Sequence, residues 1–159
     1  MKKISESRSV LSEVMHPSQA NPAGTVHGGE IMKMMDTCAG VAAMRHAKTN
    51  VVTARVDELE FHQPIYVGQL VVCEAGLVFT GRTSMEVEVT VKVEDITSDI
   101  PAKIALTAFF TFVALDKDKK PCTVPGLLVE TEEEQKAYEE GQKRYLQYKI
   151  KKSNLRGKD

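Results

Sequence analysis

The sequence has no tryptophan and only three cysteines, Cys38, Cys73 and Cys122, scattered along its 159 residues. An odd number of widely spaced cysteines with no C-x-x-C pair argues against a disulfide framework and against a zinc site. Charge of either sign is not in excess: 21 Lys and Arg against 22 Asp and Glu leave a formal net charge of −1. That balance gives no global attraction to nucleic acid. No apolar run approaches the roughly 20 residues of a membrane-spanning helix. The opening Met1-Lys2-Lys3-Ile4-Ser5-Glu6-Ser7-Arg8 lacks the apolar core of a secretory signal. There is no internal repeat. The expectation is a soluble, cytoplasmic chain, about the size of one domain and with enough apolar residues (42%) to build a core.

Residues 8–16 predict a strand, followed by a turn-rich loop from Pro17 to Gly24. His27-Gly28-Gly29 leads into a Met- and Ala-rich, proline-free run, which predicts a helix from Glu30 to Ala47. On a helical wheel only Glu30, Lys33, Thr37 and Gly40 form a polar or small stripe, so the helix is expected to be buried on several sides. From Asn50 the period changes to two. Val52, Ala54 and Val56 alternate with Thr53, Arg55 and Asp57, then Leu59 and Phe61 take the opposite parity, which predicts a β-bulge near Asp57-Glu58. Further strands are expected over 69–80, 85–94 and 103–115. The second of these alternates valine with Glu, Thr and Lys and predicts one wet sheet face; the third is apolar on both faces and is expected to be central. Thr131-Glu132-Glu133-Glu134 has the capping-box form and predicts a charged helix from Glu132 to Lys151, anchored by Tyr138, Tyr145, Leu146 and Tyr148, with a frayed tail from Ser153 to Asp159. The simplest packing of this order is an α+β fold, with one antiparallel sheet rolled around the first helix and the charged helix outside.

The chemistry-bearing segment runs from Asn21 to Asp36. Gly28 and Gly29 stand at a helix N-terminus, where free N–H groups and the helix dipole favour developing negative charge, as in an oxyanion hole. The same glycines also suit a helix start that needs unusual torsions. Asp36 falls at the edge of the polar stripe beside small residues, where it is either a half-covered base or an exposed carboxylate paired with Lys33. Asn21, before a proline, makes a local Asx turn or holds a water or carbonyl. His27 suits a supporting hydrogen bond at the helix start better than a base, and His62 suits a strand end. His16 and His46 have no partner pattern, and no two histidines have metal-ligand spacing on a helix.

Taken as one ordered set, Asn21-x-x-Gly24-x-x-His27-Gly28-Gly29 with Asp36 resembles the hotdog-fold acyl-CoA thioesterases, in the branch that holds bacterial broad-range and animal cytosolic acyl-CoA hydrolases. Phe61-His62-Gln63-Pro64-Ile65-Tyr66-Val67-Gly68 is similar to that family's strand end and turn, and Gly81-Arg82-Thr83-Ser84-Met85 to its hairpin. The resemblance spans about Arg8 to Gly126. It implies a hotdog domain over 1–126 and a C-terminal helical extension over 127–159. It also implies dimers joined sheet edge to sheet edge, commonly three to a hexamer, with acyl-CoA bound between protomers.

In that family Asn21 would come from one subunit and Asp36 from the other. Thioester hydrolysis would use Asp36 as general base or nucleophile, Asn21 to orient water or the carbonyl, and the Gly28 and Gly29 N–H groups to hold the oxyanion. By resemblance, Arg82, Thr83 and Ser84 would hold the coenzyme A phosphates. Arg45, Lys48, Lys119 and Lys120 are further cations, and Met32, Met34 and Met35 suit either core packing or an acyl tunnel. No metal or redox cofactor is expected, since a thiolate leaves readily. Two other functions compete. An enoyl-CoA hydratase on the same fold needs a carboxylate–histidine pair, which His27 and Asp36 do not form in the expected pattern. A non-catalytic acyl-CoA sensor needs a DNA-binding appendage, for which the second helix shows no recognition face.

Overall fold

A computed structural model describes residues 1–157. In chain order the elements are β1 (Lys2–Lys3), β2 (Ser9–Val14), α1 (Gly28–Ala47), β3 (Asn50–Phe61), β4 (Leu70–Thr80), β5 (Ser84–Glu94), β6 (Lys103–Leu115), β7 (Leu127–Leu128) and α2 (Glu132–Arg156). Five strands form one antiparallel sheet in the order β2-β4-β5-β6-β3, while β1 and β7 pair in parallel beside it. The expected α+β architecture is therefore the observed one.

All five sheet strands touch α1. Met35, Cys38, Ala39, Ala42 and Ala43 are wholly buried against Val71, Cys73, Met85, Val87, Val89 and Ala105. Small residues along α1 let the sheet approach closely. Gly40, placed in the polar stripe from the wheel, is instead buried and faces the Phe112 ring. The helix begins two residues earlier than expected, at Gly28, because His27 already has the extended backbone of an N-cap and its carbonyl accepts from Glu30 and Ile31. Lys48 closes the helix in the left-handed conformation (φ 58°). No helix among the described residues is long and apolar enough to cross a membrane. All three cysteines are free thiols, and the Cys38 thiol donates to the Cys73 carbonyl at 3.3 Å.

Two expectations for the strands need correction. β3 carries two register shifts, between Thr53 and Arg55 and between Asp57 and Glu60, where one had been expected. The extra residue at Ala54 reverses the parity, so Val51, Val56 and Leu59 pack on the core and Val52 is left 47% exposed. The second shift coincides with Glu58, at φ 50°. On β5 the valines are buried as expected, but the opposite face is not uniformly wet: Glu86 is 3% exposed because α2 lies over it. β6 is an interior strand with neighbours on both sides, and β5 is the middle one.

The Thr131 side chain caps α2 by accepting from the Glu134 N–H at 3.1 Å. The helix then runs past Lys151 and through the expected tail from Ser153 to Arg156, since no breaker occurs before Gly157. Of the tail, Lys158 and Asp159 lie outside the described residues. Tyr138 and Tyr145 flank Phe79, with ring centroids 5.1 and 5.2 Å away, and Tyr148 stacks on the Arg55 guanidinium. Leu146 is 52% exposed and is not one of the anchors. Arg144 donates from Nε and Nη2 to Glu86 Oε1 at 2.9 and 2.6 Å. Burial pushes the Glu86 carboxyl above its usual range, and the Arg144 guanidinium opposes that shift.

Two outcomes follow from this packing. A Cβ at Gly141 would stand 2.7 Å from the Phe79 Cβ. Although alanine is the better helix former, Gly141→Ala should destabilise the fold by about 1–3 kcal/mol, as overpacking does, and lower the melting temperature. His46 is 1% exposed, with Nε2 2.7 Å from the Pro125 carbonyl oxygen and Nδ1 buried without a partner among the described residues. Burial holds its pKa below 6.5, and Lys2 and the N-terminal amine act in the same direction against the Pro125 carbonyl. The unfolded chain therefore takes up the proton first. Stability is fully present above pH 6.5 and declines as pH falls from there toward the folded-state pKa, by at most about 1.4 kcal/mol per pH unit. Urea midpoints measured from pH 7.5 down to 5.5 should show the decline, and His46→Gln should flatten it.

Candidate functional site

The loop before α1 is fixed by its own asparagine. Asn21 Oδ1 accepts from the Ala23 and Thr25 N–H groups at 3.0 and 3.1 Å, and Nδ2 donates to Thr25 Oγ1 at 2.8 Å. Gly24 holds φ +85°, a conformation that glycine adopts without strain. Val26 and His27 then donate to the Ile65 and Gln19 carbonyls. The Asx turn is thus real, yet an amide NH2 has two protons and Thr25 takes one. The other has no partner among the described residues.

That loop delivers α1 with its first N–H groups open. Among the described residues no side chain caps the helix at His27, and neither the Gly28 nor the Gly29 N–H has a backbone partner. The His27 ring is exposed and only its backbone is engaged. Gly29 has open space where a Cβ would be, whereas at Gly28 a Cβ would meet the Phe61 ring at 3.4 Å. Phe61, 58% exposed, forms one wall of the helix start. The combination of dipole, open donors and an apolar wall suits a group that gains negative charge beside an apolar chain.

Two turns further on, Asp36 is half-buried. Its partner is not Lys33 but Thr53 of β3, whose Oγ1 donates to Asp36 Oδ1 at 2.6 Å. A bond of this length orients the carboxyl group, and Oδ2 has no hydrogen-bond partner among the described residues. Thr53 is the residue that reading the sequence missed. Simple alternation puts it on the side away from the core, and only the bulge at Ala54 reconciles it with Asp36. Nothing in the run Val51-Val52-Thr53-Ala54-Arg55-Val56 marks that bulge.

The remaining candidates stand apart from this pair. Within the protomer, the side-chain bonds of Asn21 go to Ala23 and Thr25 and none reaches Asp36. Arg82, Thr83 and Ser84 form the β4–β5 hairpin, fixed where the Arg82 carbonyl accepts from Val124, the Thr83 carbonyl from Ala114 and the Ser84 carbonyl from Gly81. The Arg82 side chain is exposed and has no ion-pair partner among the described residues. Arg45 is committed to the Arg8 carbonyl, and Lys48 and Lys119 occupy left-handed turn positions. Met35 is core, whereas Met32 and Met34 are half-buried. His62 lies at a strand end, with Nε2 3.3 Å from Thr107 Oγ1.

Residues 23–100 match the thioesterase superfamily. Acyl-CoA hydrolase of Staphylococcus aureus, solved with butyryl coenzyme A, coenzyme A and coenzyme A disulfide, is 32% identical with a TM-score of 0.89 over 99% of this chain and 96% of that one. The chain belongs to the thioesterase superfamily. The long helix wrapped by the antiparallel sheet is accordingly the hotdog fold. Alanine variants of the S. aureus enzyme, at an aspartate, an asparagine and a threonine, have the same fold. An apo-hexameric acyl-CoA thioesterase is 34% identical, with a TM-score of 0.88 over 94% of this chain and 95% of that one. Cytosolic acyl coenzyme A thioester hydrolase of Rattus norvegicus is 44% identical over 150 residues, which are 94% of this thioesterase-superfamily chain but 39% of the rat protein. The chain thus spans about two-fifths of the length of that curated relative.

Proposed function

We propose that this protein hydrolyses acyl-CoA thioesters to the free acid and coenzyme A. The observation that carries the reading is the Thr53–Asp36 hydrogen bond, which holds a half-buried carboxylate two turns from the open donors of the same helix. The alanine variants of the S. aureus enzyme support it. Their asparagine, aspartate and threonine are separated by 15 and then 17 residues, the spacings of Asn21, Asp36 and Thr53.

In this reading the thioester carbonyl oxygen lies against the Gly28 and Gly29 N–H groups, which take up the charge as the carbonyl carbon becomes tetrahedral. Asp36, through its free oxygen, removes a proton from the attacking water or attacks the carbonyl itself. Thr53 keeps the carboxylate in register. The C–S bond breaks and the thiolate departs without an acid, so the chemistry calls for no metal or redox cofactor. Asn21 directs its spare N–H at the water or the carbonyl. Because Asn21 and Asp36 do not meet in one protomer, the site is completed by a second copy whose β3 pairs with the free β3 edge. Three dimers of this kind make a hexamer, and one relative is hexameric. The exposed Arg82 and its hairpin, with Thr83 and Ser84, receive the phosphates of coenzyme A. A cytosolic location accords with the name of the rat relative. The hydratase alternative loses support from the site, because the Asp36 partner is a threonine and the His27 ring makes no bond to it.

Thiol release from acyl-CoAs of graded length tests the activity. Asp36→Ala should lower kcat by about 10²-fold or more, and Thr53→Val by about tenfold with KM little changed, since a positioned base contributes on this scale. Normal turnover by Asp36→Ala would remove the assignment. Inactive Asn21→Ala and Asp36→Ala chains, unfolded together and refolded, should regain up to about a quarter to a half of the wild-type rate if each site draws on two copies. No recovery in verified mixed oligomers would put the site within one protomer.

A further inference from the structure

The sheet-facing stripe of α2 is longer than the sheet beneath it. Tyr138, Gly141, Tyr145 and Tyr148 follow a 3-4-3 spacing; the first three lie against Phe79 of β4, and by Tyr148 the helix has reached β3. Tyr138 and Gly141 rest on Phe79 of β4, Arg144 reaches Glu86 of β5 and covers the Phe109 ring of β6 at 3.7 Å, and Tyr148 stacks 3.6 Å from the Arg55 guanidinium of β3. β3 is the last strand of the sheet. The same spacing continues to Lys152 and Leu155, which have no strand of their own protomer to cover. Every residue from Lys149 to Arg156 is exposed, and Leu155, at the next apolar position of the stripe, is 70% exposed. A heptad-like stripe that ends in an uncovered leucine has a missing partner.

The charges identify that partner. The overhanging turns carry Lys149, Lys151, Lys152 and Arg156 with no acidic residue, whereas β3 carries exposed Glu58 and Glu60 beside Asp57, which is paired with Arg55 at 2.6 Å. Antiparallel pairing of β3 with a second β3 about its midpoint sets the second copy's Asp57–Glu60 segment beside Val51–Ala54, next to Arg55. The outer face of the second sheet then continues the surface on which α2 already lies, and its acidic residues meet the cationic end of the helix. We propose that residues 149–156 form a reciprocal clasp: the α2 end of each copy crosses the β3 joint and docks, through Leu155 and Lys152, on the outer sheet face of the other. The clasp rests on the edge-to-edge reading above and adds a second, independent contact to it. It also gives the C-terminal helix its purpose, which is to hold together a joint on which both catalytic sites depend.

Sedimentation equilibrium on the full-length chain tests this with two variants. Leu155→Asp combined with Lys152→Glu alters only exposed side chains, so thermal melting of the secondary structure should remain cooperative. The dimer dissociation constant should rise about tenfold or more, as on loss of an interface anchor. Ala54→Pro, at the unpaired bulge position, blocks pairing along the β3 edge and should give monomers; Val52→Arg serves the same purpose if the proline variant does not melt cooperatively. A dissociation constant within about twofold of wild type in the α2 variant, with dimers lost in the edge variant, would overturn the clasp and leave the edge reading standing. Dimers that survive both edge variants would overturn the edge reading and the clasp with it. A hexamer that falls to intact dimers in the α2 variant would place the helix end between dimers and likewise overturn the clasp.

Discussion

Burial of α1 is the constraint from which the rest of the architecture follows. A helix apolar around most of its circumference cannot rest on a flat sheet and leave one face in water. It needs apolar surface on several sides, and one sheet supplies this only by curling until all five strands reach it. Burying Met35 and Ile31 contributes roughly 1.5–3 kcal/mol each. Ala39, Gly40, Ala42 and Ala43 have little area of their own, but their small size lets Phe112 and the valines of β5 close around the helix.

The same burial defines where polar chemistry can occur. Once the sheet encloses the middle of α1, water reaches the helix at its first turn, along the side that carries Lys33, Asp36 and Thr37, and at its last turns, where Met44 and Arg45 are exposed. The open Gly28 and Gly29 donors occupy the first of these places and Asp36 the second. The Thr53 hydroxyl holds the Asp36 carboxyl there, at the sheet edge, by donating to it. The carboxylate therefore stands beside β3, the last strand of the sheet.

On the outer face, α2 is attached mainly by specific contacts and little by apolar area. Glu86 is buried under it and compensated by Arg144, an arrangement whose net stabilisation is small because desolvation opposes attraction. What such a pair fixes is direction: Arg144 must reach Glu86 and lie on Phe109, Tyr148 must lie on Arg55, and Gly141 must pass Phe79 without a side chain. These contacts set the line of the helix across the sheet and therefore where its last turns emerge.

Element types and most of their bounds were legible in the sequence, because side-chain periodicity is a local consequence of backbone geometry: valines every second residue in β5, apolar residues almost all round α1, a threonine cap on α2. The glycine pair, Asn21 and Asp36 were legible as a set only through their likeness to the acyl-CoA thioesterases, since each taken singly also suits a structural role. Thr53 was not, because its side is decided by one extra residue at Ala54, and whether a strand absorbs such a residue depends on the strand it pairs with. The burial of Glu86, and the absence of Leu146 from the anchors, depended likewise on how a distant helix lies across the sheet. The sequence by itself determined which segments are helix and strand and which residues can carry chemistry. Tertiary structure alone decided which of them meet, because register, bulges and helix direction are settled by contacts between segments far apart in the chain.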